Sequence, residues 1–326
     1  MHGSRDYFKI RKSKSFVLEV VPVLRIKKPS EAENITDLSY FHVNYVKKKF
    51  PNKIFNEIIL AKTFCHANKC YGAESYINGF SGYGLEVLVY YYGSFVKFVT
   101  AISKIKKGEK KVIDVEKHFK NRSEVLMDLN SSKLQSPIIF VDPTFKQRNV
   151  LAALSEETFQ KFQKACKDFL KNPKIECFVE DKVDFKKLED EAKRRKNDFI
   201  LLNIKTNKQR GDIAGSKLLK FYKHLEKEIS KCFNVNKSHF EYDNEKSARC
   251  FFSVKTKKEI ISMGPKTEDK KNVSRFKKKH RKIFIKSGRI YAKTAINFSL
   301  RNFIKGWIKK NKKVILEMCV ENISVL

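Results

Sequence analysis

The chain has 326 residues, 41% of them hydrophobic, which is enough for two or three domains and excludes a wholly disordered protein. It carries 70 Lys and Arg against 36 Asp and Glu, a net charge of +34, so a polyanion is the expected partner and nucleic acid the first candidate. The sequence has no uncharged 18-residue apolar stretch and no apolar signal segment at its start. These two features argue against a membrane protein and predict a cytoplasmic one.

The first predicted element is a strand within residues 16–26, where the sequence reads FVLEVVPVLRI, and it is expected to end near Pro22 or just beyond. Its β-branched and apolar residues predict a buried strand, and Glu19 is an acid inside it. A polar loop is expected from Pro29 to Ser39. A carboxylate within a buried strand requires a specific reason.

A helix is predicted next, from about Lys53 to Asn68. On this helix Phe55, Ile59 and Lys62 fall on one row, at positions i, i+4 and i+7. Lys62 is therefore aligned with apolar side chains. A lysine whose stem lies along the apolar surface while its ammonium reaches water is the ordinary explanation.

The stretch NGFSGYGLEVLVYYYGSF begins at Asn78 and combines three early glycines with a tyrosine-rich apolar run. Gly79 and Gly82 flank Ser81, which predicts a sharp turn followed by one or two helices that end near Ile105. Taken by itself, the stretch is interpreted as a glycine turn before an amphipathic helix.

Two further elements complete the first half of the chain. Residues 138–141 predict a short strand that ends at Asp142-Pro143. A helix is predicted from Ser155 to Leu170, with Ser155 as its N-cap. The charged stretch from Glu180 to Lys196 is interpreted as a hinge or an exposed helix.

The last third has a separate α/β pattern. Its expected elements, in order, are a strand at 199–204, a helix at 218–232, paired strands at 239–242 and 248–254, a hairpin at 283–293, and a helix at 300–307. A small mixed sheet with helices on one face is the economical architecture.

The segment from Lys266 to Lys282 contains nine Lys and Arg against two acids, with a single aromatic residue, Phe276. A solvated run of charges is one interpretation. In a chain this basic, a surface that follows a phosphate backbone is the favoured one.

Seven cysteines are scattered from Cys65 to Cys319, and neither a disulfide framework nor a C-x-x-C metal pair is indicated. Cys65, His66 and Cys70 come nearest to a zinc motif. This cluster has no second half, so buried thiols are the favoured interpretation and zinc is the alternative.

Several ordered motifs resemble the archaeal (class I) CCA-adding enzymes, the tRNA nucleotidyltransferases that build or repair the 3′ CCA end from CTP and ATP. They are FVLEVVPV, YFHVNYV, CYGAESYINGFSGYGLEVLVYYYGSF and FVDPTFKQRNVLAALS. The resemblance covers residues 1–175 well and the remainder weakly. It implies an α+β protein with the remnant of a nucleotidyltransferase sheet at 1–35, a mainly helical central nucleotide and primer domain at 36–175, and a basic α/β tRNA-binding domain at 176–326.

The resemblance also implies a nucleotide site. His42, Lys62 and Tyr71 match the family's residues that hold the triphosphate, and Arg148 matches the arginine that recognises the incoming base. An ammonium at the edge of a cleft is a suitable phosphate ligand, and a guanidinium is a fixed fork of donors. Without the resemblance, Arg148 would be an ordinary arginine at the start of a helix.

In this family three carboxylates hold two Mg²⁺ ions, and Glu19 matches the position of the third, where Asp is usual. The Gly-Ser motif and the Asp-x-Asp strand that carry the other two are missing, since Gly3-Ser4 is followed only by Asp6. We expect that the chain by itself does not extend tRNA. The missing part is a separate polypeptide or lies before a miscalled start codon, or the chain is a catalytically silent relative.

The basic segment supplies the residues expected to contact the tRNA acceptor stem: Arg275, Lys277, Lys278, His280 and Arg281. Two other functions stay open. One is an inactive RNA-binding protein on a nucleotidyltransferase scaffold, and the other is a poly(A)-adding or oligoadenylate-making polymerase. A homodimer is also an open alternative.

Overall fold

A computed structural model of the chain describes residues 7–13 and 16–326. It divides into two compact units, Met1–Lys182 and Val183–Leu326. Helices and strands are both well represented in the described residues, so the expected α+β class is confirmed. The three-part division, with boundaries after residues 35 and 175, stays a prediction.

The first unit contains the predicted elements together with strands and helices that the sequence did not indicate. Its strands and helices are β1 (Phe8–Arg11), β2 (Val17–Val20), α1 (Ser39–Lys49), α2 (Ile54–Ala67), α3 (Gly82–Tyr92), α4 (Phe95–Lys104), β3 (Lys111–Ile113), α5 (Arg122–Asp128), β4 (Ile138–Asp142), β5 (Phe145–Asn149) and α6 (Glu156–Lys171). The helices expected near residues 53–68, 82–105 and 155–170 are confirmed, as is the strand at 138–141. The loop expected between Pro29 and Ser39 contains two short 3-10 turns before α1 begins.

The strand expected within residues 16–26 forms, but the prediction that it is buried is wrong. Only β2 forms there, and it pairs antiparallel with β1, which places Phe8 opposite Val20 and Ile10 opposite Leu18. These four side chains share one face, because alternate residues of a strand point the same way. They are exposed, with Phe8 at 69%, since β1 is the only strand paired with β2 in the described residues.

The row of Phe55, Ile59 and Lys62 on α2 does not face the core, as Phe55 and Ile59 are both exposed. The buried face of α2 is a different one, formed by Ile54, Ile58, Ala61, Phe64 and Cys65. A helix that is apolar on most sides offers two candidate stripes to a sequence-based prediction, and packing against α3 selects one of them. Lys62 therefore lies at the edge of the unit rather than against its core.

The core of the first unit contains a group of phenylalanines from α2, α4, α6 and the turn before α3: Phe64, Phe80, Phe98 and Phe162. The sheet β3-β4-β5 lies beside it, with β3 parallel and β5 antiparallel to β4. Alternate residues of β4 enter the main core and a smaller cluster that includes Val125 of α5. This central strand is buried along its whole length and ends at Asp142.

The second unit contains the predicted α/β elements. They are α7 (Phe185–Arg194), β6 (Asp198–Lys205), α8 (Asp212–Cys232), β7 (Phe233–Tyr242), β8 (Ser247–Thr256), β9 (Glu259–Lys266), α9 (Lys270–Lys279), β10 (Lys282–Lys286), β11 (Arg289–Ala295), α10 (Leu300–Lys310), α11 (Lys312–Glu317) and β12 (Asn322–Val325). The paired strands, the hairpin and both amphipathic helices are confirmed.

The expected mixed sheet with helices on one face is a wrong prediction in two respects. The sheet has the order β12-β6-β8-β7, and each pairing is antiparallel. A short turn joins β7 to β8, which requires antiparallel pairing. Helix α8 and helix α10 cover one face, while Phe185 of α7 contacts Phe251 of β8 on the other. A separate antiparallel sheet, β10-β11-β9, lies next to α9.

In the described residues no single helix has the length and apolar character needed to cross a membrane. Helices α3 and α4 meet those criteria only when taken together, and the chain bends by 96° between them.

Candidate nucleotide-binding site

The start of α3 is held by Ser81, as the glycine-rich turn predicts. The Ser81 hydroxyl accepts a hydrogen bond from the amide of Gly84 at 3.1 Å and donates one to the carbonyl of Val150 at 3.0 Å. A side chain at Gly84 would collide with Leu151 and with the Val150 carbonyl. Glycine therefore allows α3 to approach the segment that follows β5.

Tyr71 is brought to the same helix end by a short pairing of backbone segments. The amide of Gly72 donates to the carbonyl of Phe80, and the amide of Phe80 donates to the carbonyl of Cys70, both at 2.8 Å. A Cβ atom on Gly79 would lie 2.1 Å from the Cys70 carbonyl oxygen, so only glycine fits there. A Cβ atom on Gly82 would lie 2.9 Å from the Tyr71 hydroxyl, which shows how closely Tyr71 approaches α3.

Lys62 reaches α3 one turn further along. Its ammonium lies 2.6 Å from Oε1 of Glu86, and both side chains are partly exposed. Glu86 is the only acid in α3. Lys62 thus has a carboxylate partner at the position where the resemblance implies a phosphate.

His42 and Arg148 meet at the carboxylate of Asp142. Its Oδ2 atom lies 3.0 Å from Nε2 of His42 and 2.7 Å from NH1 of Arg148. Its Oδ1 atom accepts hydrogen bonds from the amide and the hydroxyl of Thr144, each at 2.8 Å. Arg148 lies on β5, not at a helix start as its sequence position indicates, because residues 145–149 pair back onto β4.

The electrostatics of this cluster keep Asp142 ionised. Burial by itself raises the pKa of the carboxyl group. The hydrogen bond from His42 and the positive charge of Arg148 outweigh this effect and lower the pKa from 3.8 to about 2. Asp142 is fully buried, so its negative charge is compensated almost entirely by protein groups.

Tyr83 covers the other side of His42. The two rings are stacked with centroids 4.0 Å apart, and burial together with the nearby charge of Asp142 raises the pKa of Tyr83. The Tyr83 hydroxyl and the Nε atom of Arg148 are buried, and neither has a hydrogen-bond partner among the described residues. Buried donors without protein partners are uncommon in folded proteins, and a bound water or a ligand can satisfy them.

All four residues expected to bind nucleotide therefore lie around the first five residues of α3. Tyr71 approaches Gly82, and His42 stacks on Tyr83. Lys62 pairs with Glu86. Arg148 joins the group through Asp142 and His42.

Sequence reasoning missed Asp142, Glu86 and Tyr83 as members of this group. The sequence pattern marks Asp142 only as the end of a strand, although an acid directly after a fully apolar strand is a signal of a buried charge. Glu86, the one acid in an apolar helix, gave a similar signal. No sequence pattern indicated Tyr83, because tyrosines are common in this stretch.

Glu19 does not join a metal site in the described residues. It lies on β2, where its carboxylate pairs with Lys9 of β1 at 2.9 Å. Within residues 7–13 and 16–326 there is no group of three His, Cys, Asp or Glu side chains that could hold a metal ion. A single exposed carboxylate does not fit a two-magnesium centre. Gly3-Ser4 and Asp6 lie outside the described residues.

Cys65 and Cys70 are both fully buried thiols. Desolvation raises the pKa of each, to about 11 for Cys70. The environment therefore favours the protonated thiols over the thiolates that bind zinc.

The basic segment of the second unit forms helix α9 and the turn after it. Arg275, Lys277, Lys278 and Arg281 are exposed, and His280 is half-buried with its ring 4.4 Å from that of Phe276. The Phe276 ring approaches Gly264 of β9 closely, so it anchors the helix on its sheet.

A shallow cavity of about 570 Å³ lies beside α9. It is lined by Thr267, Lys270, Val273, Ser274, Lys277 and Lys278. Two hydroxyls and three ammonium groups converge there, which suits phosphate oxygens.

A CCA-adding enzyme from Nanoarchaeum equitans is 31% identical to this chain over 307 residues, which are 94% of the chain and 74% of that enzyme. The chain belongs to the archaeal CCA-adding enzyme family. The CCA-adding enzymes of Methanosarcina mazei and Methanocaldococcus jannaschii are 35% and 28% identical over 58% and 87% of the chain. The chain spans 40% and 63% of their lengths.

The family model described as tRNA nucleotidyltransferase, second domain, matches residues 56–179. This range includes Lys62, Tyr71 and Arg148, and also the partners Glu86 and Asp142. His42 and Glu19 precede it. The family model therefore covers the segments around the start of α3, except the one that carries His42.

Proposed function

We propose that this chain takes part in CTP- and ATP-dependent addition or repair of the CCA end of tRNA by nucleotidyl transfer. The observation that carries the proposal is the convergence of His42, Lys62, Tyr71 and Arg148 on the start of α3, in a chain of the CCA-adding enzyme family. These side chains provide phosphate ligands at one end of the group and a fixed guanidinium at the other.

The nucleotide is held by complementary charge and hydrogen bonding. Lys62, the Tyr71 hydroxyl and the amides at the start of α3 face the triphosphate, since a helix N-terminus favours anions. Arg148 faces the base, where its planar donors meet acceptor atoms. In this arrangement the phosphates displace Glu86 from Lys62, and the base approaches the Nε edge of Arg148.

The metal site requires residues beyond those described. We propose that a separate polypeptide with a Gly-Ser and an Asp-x-Asp motif supplies two carboxylates beside Glu19. Carboxylates at alternate positions share one face of a strand. Pairing of that strand with the β1–β2 hairpin would place them on the face of Glu19, and the partner would cover the exposed apolar face. Mg²⁺ is the expected cofactor of the completed site, which activates the primer 3′-OH and stabilises the leaving pyrophosphate.

The tRNA acceptor stem is assigned to the basic second unit. The exposed cations of α9 and the cavity beside it suit phosphate contacts along an A-form helix, whose deep groove side chains do not read. The cytoplasm, where tRNA is processed, is the corresponding location. A homodimer stays a prediction, which the mass of the chain in solution tests.

The decisive experiment uses tRNA that lacks its terminal A or its whole CCA end. Labelled CTP or ATP is supplied to the chain with and without a candidate polypeptide that carries the Gly-Ser and Asp-x-Asp motifs. Incorporation only with the partner supports the proposal, and incorporation by the chain alone contradicts the need for a partner. Absence of both incorporation and nucleotide binding would refute the enzymatic role.

An inactive RNA-binding protein is the second candidate. It is favoured by Glu19, whose carboxylate pairs with Lys9 and is not part of a carboxylate cluster in the described residues. It predicts tRNA affinity that falls steeply with salt and is indifferent to CTP, ATP and Mg²⁺. A titration of labelled tRNA with and without CTP separates the two candidates.

A further inference from the structure

We propose that Asp142 is a positioning residue that sets which bases this site accepts, because it fixes the guanidinium of Arg148 with one edge unpaired. The inference rests on the proposed nucleotide-binding function. Asp142 itself does not touch the nucleotide in this arrangement. It acts through Arg148 and His42.

The Asp142 carboxylate has a single orientation. One oxygen accepts two hydrogen bonds from Thr144, and the other accepts from His42 and Arg148. Rotation of the carboxylate would break bonds on both sides. The group is fully buried at the end of β4, so water does not replace the lost partners.

Arg148 is held by only one of its nitrogens. NH1 donates to Asp142, which leaves the edge formed by Nε and NH2, and Nε has no partner within the described residues. The side chain is 16% exposed, and its Nε atom is buried. The unpaired edge presents two parallel N–H donors in a fixed plane.

This edge discriminates between bases by their hydrogen-bonding atoms. Cytosine has two adjacent acceptors, N3 and O2, that match two parallel donors, and adenine has the acceptor N1. Uracil and guanine carry an N–H donor at the equivalent position, which opposes the donors of Arg148. A guanidinium that is free to rotate would present other nitrogens and lose this distinction.

Asp142 also determines which nitrogen of His42 faces the ligand. Nε2 lies 3.0 Å from the Asp142 carboxylate and 3.1 Å from NH1 of Arg148, which is itself a donor. The consistent assignment has Nε2–H of His42 donating to Asp142. The donors of His42 and Arg148 lie next to each other because they share one acceptor, the Asp142 carboxylate. Nδ1 is then the nitrogen available to the nucleotide; in the neutral ring it accepts a hydrogen bond, and only in the protonated ring does it donate to a phosphate oxygen. The stacked Tyr83 ring holds the imidazole in place.

The alternative is that Asp142 only neutralises a buried cation. In that case its replacement would weaken binding of every nucleotide equally. Asp142→Asn separates the two roles, because an amide presents an N–H group to either Thr144 or the donors of His42 and Arg148. The guanidinium of Arg148 is then released, while the side chain at position 142 keeps its size.

The test measures equilibrium binding of CTP and UTP to the full chain in the presence of tRNA that lacks its CCA end. We expect wild-type protein to prefer CTP and Asp142→Asn to lower the CTP-to-UTP affinity ratio about tenfold. Asp37→Asn changes another buried aspartate of the first unit and is expected to keep the ratio. Thermal unfolding of each variant reports whether it is folded.

If Asp142→Asn does not fold, Asp142→Glu provides the test, since it keeps the charge but moves the carboxylate by one methylene and is expected to lower the ratio as well. An unchanged ratio in the folded variant, with both affinities reduced equally, would overturn the role of Asp142. Wild-type protein that binds neither nucleotide would instead refute the proposed function along with this inference.

Discussion

The ammonium of Lys62 lies 2.6 Å from the carboxylate of Glu86, so the lysine expected to hold a triphosphate is already paired with an acid. The side chains of Lys62 and Glu86 are 31% and 25% exposed, and a pair so accessible to water contributes about 1 kcal/mol or less to stability. A triphosphate carries more charge than one carboxylate. We therefore expect the pair to separate when a nucleotide binds.

Replacement Glu86→Gln is expected to strengthen CTP binding about fivefold, equivalent to about 1 kcal/mol, because Lys62 no longer has a competing anion. Isothermal titration of CTP into the chain measures the change. Glu259→Gln, which removes the partner of Lys293 in the second unit, makes the same change of charge and is expected to leave CTP binding unaltered. Weaker binding by Glu86→Gln would show that the carboxylate positions Lys62 instead of competing for it.

The buried charge of Asp142 makes stability depend on acid pH. Its folded-state pKa is about 2 against an ordinary value of 3.8, so the stabilisation is complete above about pH 4 and is lost as the pH falls through about 2. The size of the shift corresponds to about 2 kcal/mol. The difference in unfolding free energy between wild type and Asp142→Asn should shrink by that amount between about pH 4 and about pH 2.

Urea unfolding at a series of pH values, followed by a signal from the first unit, measures this difference. A constant difference over the whole range would mean that Asp142 does not titrate as a compensated buried carboxylate.

Gly79 is expected to be intolerant of any side chain. A Cβ atom would lie 2.1 Å from the carbonyl oxygen of Cys70, and backbone atoms do not move aside as side chains do. Gly79→Ala should destabilise the first unit by about 3 kcal/mol. It should also weaken nucleotide binding, because the backbone pairing that it disrupts places Tyr71 at the start of α3.

Gly306→Ala is the matched control for this change. Gly306 lies inside α10, and a Cβ atom there meets nothing within 4 Å. The higher helix propensity of alanine should stabilise the second unit by about 1 kcal/mol. Thermal unfolding of both variants gives the comparison, and equal effects on the two units would contradict the steric explanation for Gly79.

The cations of α9 are expected to contribute to tRNA binding through phosphates. The double replacement of Lys277 and Lys278 by Gln should lower the slope of log affinity against log salt by about 1 to 2, if each lysine contacts one phosphate. Filter binding of tRNA at several salt concentrations measures the slope. Lys309 and Lys310 on α10 are also exposed, and their replacement by Gln controls for total charge.

Periodicity predicted the elements of this chain well where one face of an element is buried. The stripe on α8, from Leu218 to Cys232, is an example, because a helix with a single apolar face has only one way to pack. Helix α2 is apolar on most sides, and there the predicted row of Phe55 and Ile59 was the exposed one. A pattern with two candidate faces does not reveal which of them its neighbours cover.

For the candidate site, the sequence alone supplied the residue types, since a family-like order of motifs predicted His42, Lys62, Tyr71 and Arg148 as nucleotide-binding residues. Only the tertiary structure revealed their partners. Asp142 lies 100 residues from His42 along the chain, and Glu86 lies 24 residues from Lys62. Compensation of charge acts across space, so the folded chain alone decides which acid each cation meets.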